Sequence, residues 1–166
     1  MILQNENKIL REKAGKIDDL KSPEIKVLIK NMAEAMFAEP DGIGIAAPQI
    51  GLSLQIFLIA KNMGAAEERE KKDYLVFINP ILKKMSRKKI GDVEGCLSVR
   101  GLYGEVLRAE KITVEYFDES GKKRRRGASG LFARVIQHEL DHLEGILFID
   151  KAKNIKHFPQ TLKDEI

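Results

Sequence analysis

The chain has 166 residues, 43% hydrophobic and 33% charged, with a net charge of +4. That balance predicts one globular domain over residues 1–166 and excludes a disordered or fibrous chain. The mild positive charge, with no basic helix interleaved with aromatics, excludes direct sequence-specific nucleic-acid binding. The single cysteine, Cys96, excludes an intrachain disulfide. No apolar run reaches membrane-spanning length and no apolar signal core stands at the N-terminus, so no membrane partner and a cytoplasmic location are expected; a monomer is expected as well.

In chain order, Met1 to Arg11 is polar and irregular, and Lys16 to Lys21 reads as a loop. Ser22-Pro23-Glu24 starts a helix, with Ser as the cap and Pro at the first helical position. Ile25, Leu28, Ile29, Met32, Ala33, Met36 and Phe37 follow as an apolar core stripe, and the helix stops before Pro40. The loop Asp41 to Gly51 comes next. Leu54 to Ala60 and Leu75 to Pro80 are short β-rich runs, with a charged, exposed loop from Lys61 to Asp73 between them. Ile81 to Val93 reads as a strand pair. Lys111 to Asp118 alternates, with Ile112, Val114 and Tyr116 on one face; Glu119-Ser120-Gly121 turns it and Lys122 to Gly127 returns as a hairpin arm. A second helix runs from the cap Ser129 to the stop Gly145, with Leu131, Val135, Ile136, Leu140 and Leu143 at helical spacing. Ile146 to Ile149 reads as a short strand, and the tail from Lys151 is polar. Strands without regular alternation with the two helices predict an α+β fold, its mostly antiparallel strands packed around the second helix.

That second helix carries His138-Glu139-Leu140-Asp141-His142. Positions i and i+4 share a helix face, so both imidazoles reach one metal ion and Glu139 lies beside it. Cys96, another carboxylate or His157 are the candidates for a third ligand, and with the histidine pair present Cys96 is the better reading. Three protein ligands leave one position open, as in catalytic sites. A bound divalent metal acidifies water there, and Glu139 is the group to move its proton. Gln49, at the end of the glycine loop, and the backbone N–H of Leu97 are candidate donors to a developing oxyanion.

Three segments then matter together: Gly42-Ile43-Gly44-Ile45-Ala46-Ala47-Pro48-Gln49, Glu94-Gly95-Cys96-Leu97-Ser98 and His138-Glu139-Leu140-Asp141-His142. In order and approximate spacing they resemble the three motifs of peptide deformylases, and the likeness runs from about Ser22 to Asp150. The resemblance implies a peptide deformylase-like catalytic domain that removes the formyl group from N-terminal formyl-methionine of new polypeptides. It implies Cys96, His138 and His142 as ligands and Glu139 as the acid/base. Gln49 and Leu97 would stabilise the oxyanion. It also implies ferrous iron in the cell, with zinc, nickel or cobalt able to substitute, which suits a donor set mixing a thiolate with imidazoles. N-formyl-methionyl nascent peptides would be the partners.

Glycine at Gly44, beside Ile45, lets an extended peptide approach closely, and Leu131 and Val135 match the wall of an apolar methionine pocket. Arg108 and Glu94 match the family and are expected to form an ion pair behind the cysteine strand, with Asp141 orienting a neighbour. Where many members have Val-Pro followed by an Arg, this chain has Val99-Arg100-Gly101-Leu102-Tyr103. The run Lys122 to Arg126 is expected to be a solvated hairpin, with ribosomal contact near the exit tunnel as the sharper reading. His157 is expected to be exposed. Two other readings stay open: a metallopeptidase, against which Cys96 argues, and a structural metal domain closed by His157 as fourth ligand.

Overall fold

Helix α1 (Pro23–Phe37) begins where the Ser22 hydroxyl accepts the N–H of Ile25 and Pro23 takes the first turn. The computed structural model from which this is read describes residues 1–64 and 72–157. Most of the charged loop expected between Lys61 and Asp73 therefore lies outside the described residues.

Strands β1 (Gly44–Ala46), β2 (Ile56–Ala60), β3 (Tyr74–Met85), β6 (Lys111–Phe117) and β7 (Lys123–Ser129) form one sheet in the order β1-β2-β3-β6-β7. Strands β4 (Lys89–Cys96), β5 (Val99–Ala109) and β8 (Lys153–His157) form a second, in the order β4-β5-β8. Every pairing between these strands is antiparallel.

Strand β2 shows how the layers are built. All five of its residues are buried, because both faces of the large sheet are covered where β2 runs. Ile56 and Leu58 join Val76, Ile78 and the apolar stripe of α1. Phe57 and Ile59 join Phe77, Val114 and the face of helix α2 (Gly130–Leu143) that carries Ala133 and Ile136. Phe57 and Phe77 stack with centroids 4.7 Å apart. A strand buried on both faces reads as a continuous apolar run rather than an alternation. Helix α2 also reaches β5: Gln137 accepts the Ala109 N–H and donates to the Ala109 carbonyl, both at 3.0 Å. The α+β arrangement around a central helix is thus the one expected.

Several elements depart from expectation. The Ile81 to Val93 segment does contain two strands, but they are not partners. Residues 81–85 continue β3 against β6, whereas β4 pairs with β5 in the other sheet. The strand read as ending at Pro80 passes through a register shift at Asn79 and Pro80, with Asn79 at φ 47°. The strand expected at Ile146 to Ile149 is replaced by a 3-10 turn at Phe148–Asp150. There the Asp150 carboxylate accepts the Leu147 N–H at 2.9 Å, a local side-chain bond that competes with a sheet ladder. The polar tail, in contrast, supplies β8, whose five exposed residues carry no burial pattern and are held by pairing with β5. Ser129 precedes α2 as expected, but its side chain makes no capping bond. Gly145 ends that helix at φ 72°, where a Cβ would press on the Arg11 carbonyl.

Candidate functional site

Helix α2 lies between the two sheets and turns His138 and His142 to one side, their ring centroids 5.0 Å apart. Cys96 is the last residue of β4, at the corner where the chain turns through Leu97 and Ser98 into β5. Its Sγ lies 3.2 Å from His142 Nε2, and the ligand atoms of Cys96, His138 and His142 all lie within 4.8 Å of one another. A single ion with bonds of about 2.0–2.3 Å fits between donors so spaced. His157 is exposed and pairs with Leu102 in β8, so it does not join this group.

The two rings are held differently. His138 Nδ1 faces Glu94 Oε2 at 3.0 Å, which leaves Nε2 for an ion. Burial holds His142 well below its usual range, so its imidazole is neutral and fit to bind a metal. Its Nδ1 is buried without a hydrogen-bond partner.

Glu94 is the hub behind the ligands. It accepts Nε and Nη2 of Arg108, each at 2.9 Å, and Nη1 of Arg134 at 2.7 Å. Burial alone would raise its carboxyl, but Arg108 and His138 outweigh that and keep it ionised far below the usual carboxylate range. Arg108 also donates to Asp141, which takes Lys151 at 2.6 Å. The expected Arg108–Glu94 pair and the orienting role of Asp141 are both present. Arg134 went unforeseen. Its signal was an arginine one turn before a ligand, inside an otherwise apolar helix stripe, where a buried charge needs a partner.

Glu139 is buried on the same helix, and Gly44 on β1 makes room for it: a Cβ at Gly44 would clash with Glu139 Oε1. Burial pushes the Glu139 carboxyl up to about 7, and its Oε2 has no partner. A buried carboxylate oxygen left unpaired beside a triad of metal-ligand type is placed to meet a water or a substrate proton. Gln49 is equally fixed. Its Oε1 accepts the Ala46 N–H at 2.8 Å, and its Nε2 donates to Ser98 Oγ at 3.1 Å and lies 3.7 Å from Cys96 Sγ. Ser98 closes the Glu94 to Ser98 motif, but its role as the partner that fixes Gln49 was not foreseen.

These groups open on a cavity of about 160 Å³. Gly44, Gln49, Leu97, Glu139, Leu131 and Val135 line it together with Cys96 and His138. Leu131 is half-exposed at its rim and Val135 is buried. Ile45 is placed otherwise: its side chain is buried in the core with α1, so only its backbone faces the site's side of the strand. Strand β1 is an edge strand. The Ile43 carbonyl accepts the Ala60 N–H, so ladder alternation turns the N–H and C=O of Gly44 away from β2. An extended chain can pair there.

A family model for polypeptide deformylase matches residues 1–158. The chain is 44% identical over 147 residues to a peptide deformylase of Carboxydothermus hydrogenoformans, covering 89% of each. It is 42% identical over 151 residues to one of Picosynechococcus, covering 89% of this chain and 76% of that one. Among solved structures, a probable peptide deformylase from Synechococcus phage S-SSM7 superposes with a TM-score of 0.83 at 39% identity, covering 91% of this chain and 98% of that one. A peptide deformylase from Synechococcus elongatus in complex with actinonin gives 0.82 at 37% identity, covering 93% and 79%.

Proposed function

The chain belongs to the polypeptide deformylase family, and from that premise we propose how its residues divide the work. The enzyme is a metal-dependent hydrolase that takes the N-formyl group from N-terminal formyl-methionine of newly made polypeptides and releases formate. Residues 1–166 act as one catalytic domain. Cys96, His138 and His142 would hold the ion, which when bound would supply a Lewis acid and acidify a water. The donor set fits Fe2+ in the cell, with Zn2+, Ni2+ or Co2+ able to take its place.

Glu139 takes the proton of the attacking water. As the C–N bond breaks, it returns that proton to the leaving amine, so the products are formate and a free methionyl amine. Its raised pKa suits a group that must both accept and give. Gln49 Nε2 and the Leu97 N–H donate to the oxygen on which negative charge develops. Glu94 keeps the His138 ring in place. The peptide lies extended along β1, where Gly44 offers its outward N–H and C=O beside Ile45, and the methionine side chain packs on Leu131 and Val135.

The enzyme works in the cytoplasm, as a monomer, on nascent chains. Within the Lys122 to Arg126 arm, Arg124 pairs with Asp118 at 2.6 Å, and Lys123 and Arg125 lie 3.4 and 3.8 Å from Glu115. Less positive charge is therefore free than the run suggests, and the ribosome is a weak, salt-sensitive partner.

The observation that carries this reading is the unpartnered Glu139 carboxylate, buried over Gly44 beside Cys96, His138 and His142. Protein prepared anaerobically with iron should release formate from formyl-Met-Ala-Ser and leave unformylated Met-Ala-Ser intact. Metal bound without formate release would overturn it.

A further inference from the structure

We propose that Gln4 is a positioning residue: through Ser98 it holds both the Cys96 thiolate and the Gln49 amide in place. Its catalytic half rests on the deformylase reading of the site.

The stretch before Arg11 reads as polar and irregular, yet its first residues are anchored in two cores. Ile2 joins the core under α1, and Leu3 packs with the cluster of Val99, Leu147 and Phe148 beside Cys96. So anchored, the segment reaches the site from behind. The Leu3 N–H donates to the Gln49 carbonyl at 2.8 Å, and Gln4 Nε2 donates to the Leu97 carbonyl at 3.1 Å.

The Leu97 carbonyl is the point where such a bond matters. Leu97 and Ser98 form the whole turn between Cys96 and Val99, which pair across it. Neither residue has a positive φ. A two-residue turn that matches the twist of its strands requires positive φ, so this one is poorly supported by its own hairpin. The register also breaks directly behind it, from Cys96–Val99 to Glu94–Gly104. What fixes the corner must come from outside. The central peptide of a β-turn can flip, reversing its C=O and N–H while the flanking residues hardly move. In the Leu97–Ser98 peptide the carbonyl is held by Gln4, and the N–H donates to Cys96 Sγ at 3.4 Å. Ser98 is fully buried, and its Oγ takes Nε2 of Gln49 at 3.1 Å. Without the Gln4 bond this peptide is free to swing. The swing takes an N–H from the thiolate and shifts the hydroxyl on which the Gln49 amide depends. Hydrogen bonds to a ligand sulfur tune what it gives to a bound ion.

Gln4→Met keeps the length of the side chain but has no donor. With metal loaded, its kcat on formyl-Met-Ala-Ser should fall about three- to tenfold, the weight of one hydrogen bond, with KM and bound metal unchanged. In the resting Co2+-loaded protein the thiolate-to-cobalt charge-transfer band should move, because the sulfur has lost an N–H. A purely structural role would lower the unfolding temperature and move neither readout. Gln4→Lys restores a donor and should bring both back toward wild type. A band that Gln4→Met leaves in place, or a kcat within about twofold of wild type, overturns the proposal. Wild type that releases no formate, while Gln4→Met still shifts the band, overturns the deformylase reading and upholds the hold of Gln4 on Cys96.

Discussion

Glu94 on β4 and His138 on α2 meet at 3.0 Å, carboxylate to ring Nδ1, so the strand that ends in one candidate ligand also sets the orientation of another. The same carboxylate balances the buried guanidiniums of Arg108 and Arg134. Glu94→Gln leaves those charges short of a counter-ion and loosens the ring. Thermal unfolding should show a loss of about 3–5 kcal/mol, and chelator competition a metal affinity lower by about 10–100-fold. Wild-type values in both measurements would make Glu94 a spectator.

Glu139→Gln preserves the shape and the Cys96, His138 and His142 triad but cannot accept a proton. Metal content should stay at the wild-type level while kcat falls by about 10²–10⁴-fold. Undiminished formate release would remove Glu139 from the mechanism.

Gly44→Ala tests the same carboxylate from the opposite side. The added methyl would clash with Glu139 Oε1 and Cδ, so the side chain must move. A displacement of about 1 Å at a reacting group costs on the order of 10² in rate. Formate release should drop by about that factor with bound metal unchanged. An active Gly44→Ala enzyme would show that Glu139 has more freedom than its packing indicates.

Asp118 gives a pH test remote from the site. Its burial would raise its pKa, but the Ser120 hydroxyl, Arg124 and the N–H groups of Lys122 and Ser120 overcome this and lower it. A depressed carboxyl contributes stability that is present above its unfolded pKa of about 3.9 and is lost as pH falls toward the folded value. Asp118→Asn should therefore cost about 1 kcal/mol at neutral pH. The gap from wild type should close as pH is lowered below about 4. A gap that stays constant down to the acid limit, followed by circular dichroism, would contradict this.

How much of this was legible varies with the range of the forces involved. Helices α1 and α2 could be read because Ser22, Pro23 and Gly145 act on their immediate neighbours and the apolar stripes repeat every turn. The Asp118 to Lys122 hairpin was legible for the same reason, with Gly121 at φ 75° taking the turn. Strand β8 was not, because Lys153–His157 are exposed and only β5 makes them a strand. Ile146 to Ile149 failed in the other direction: an apolar run suggested a strand, and one Asp150 carboxylate closed a turn instead.

The site divides along the same line. The spacing of His138, Glu139 and His142 determines by itself that two imidazoles and a carboxylate share one helix end, because helical periodicity is local. Cys96 could be nominated as a third ligand from its type and company. That Cys96 stands 3.2 Å from His142 across 46 residues of chain was decided only when α2 packed between the two sheets. The same packing brought Glu94, Arg108 and Arg134 together and turned Gln49 Nε2 toward Cys96. It also put Gly44 beneath Glu139. Residue types carry the chemistry a site can use. Distances between strands and helices far apart in sequence depend on how whole layers bury their apolar faces, and no local pattern encodes that.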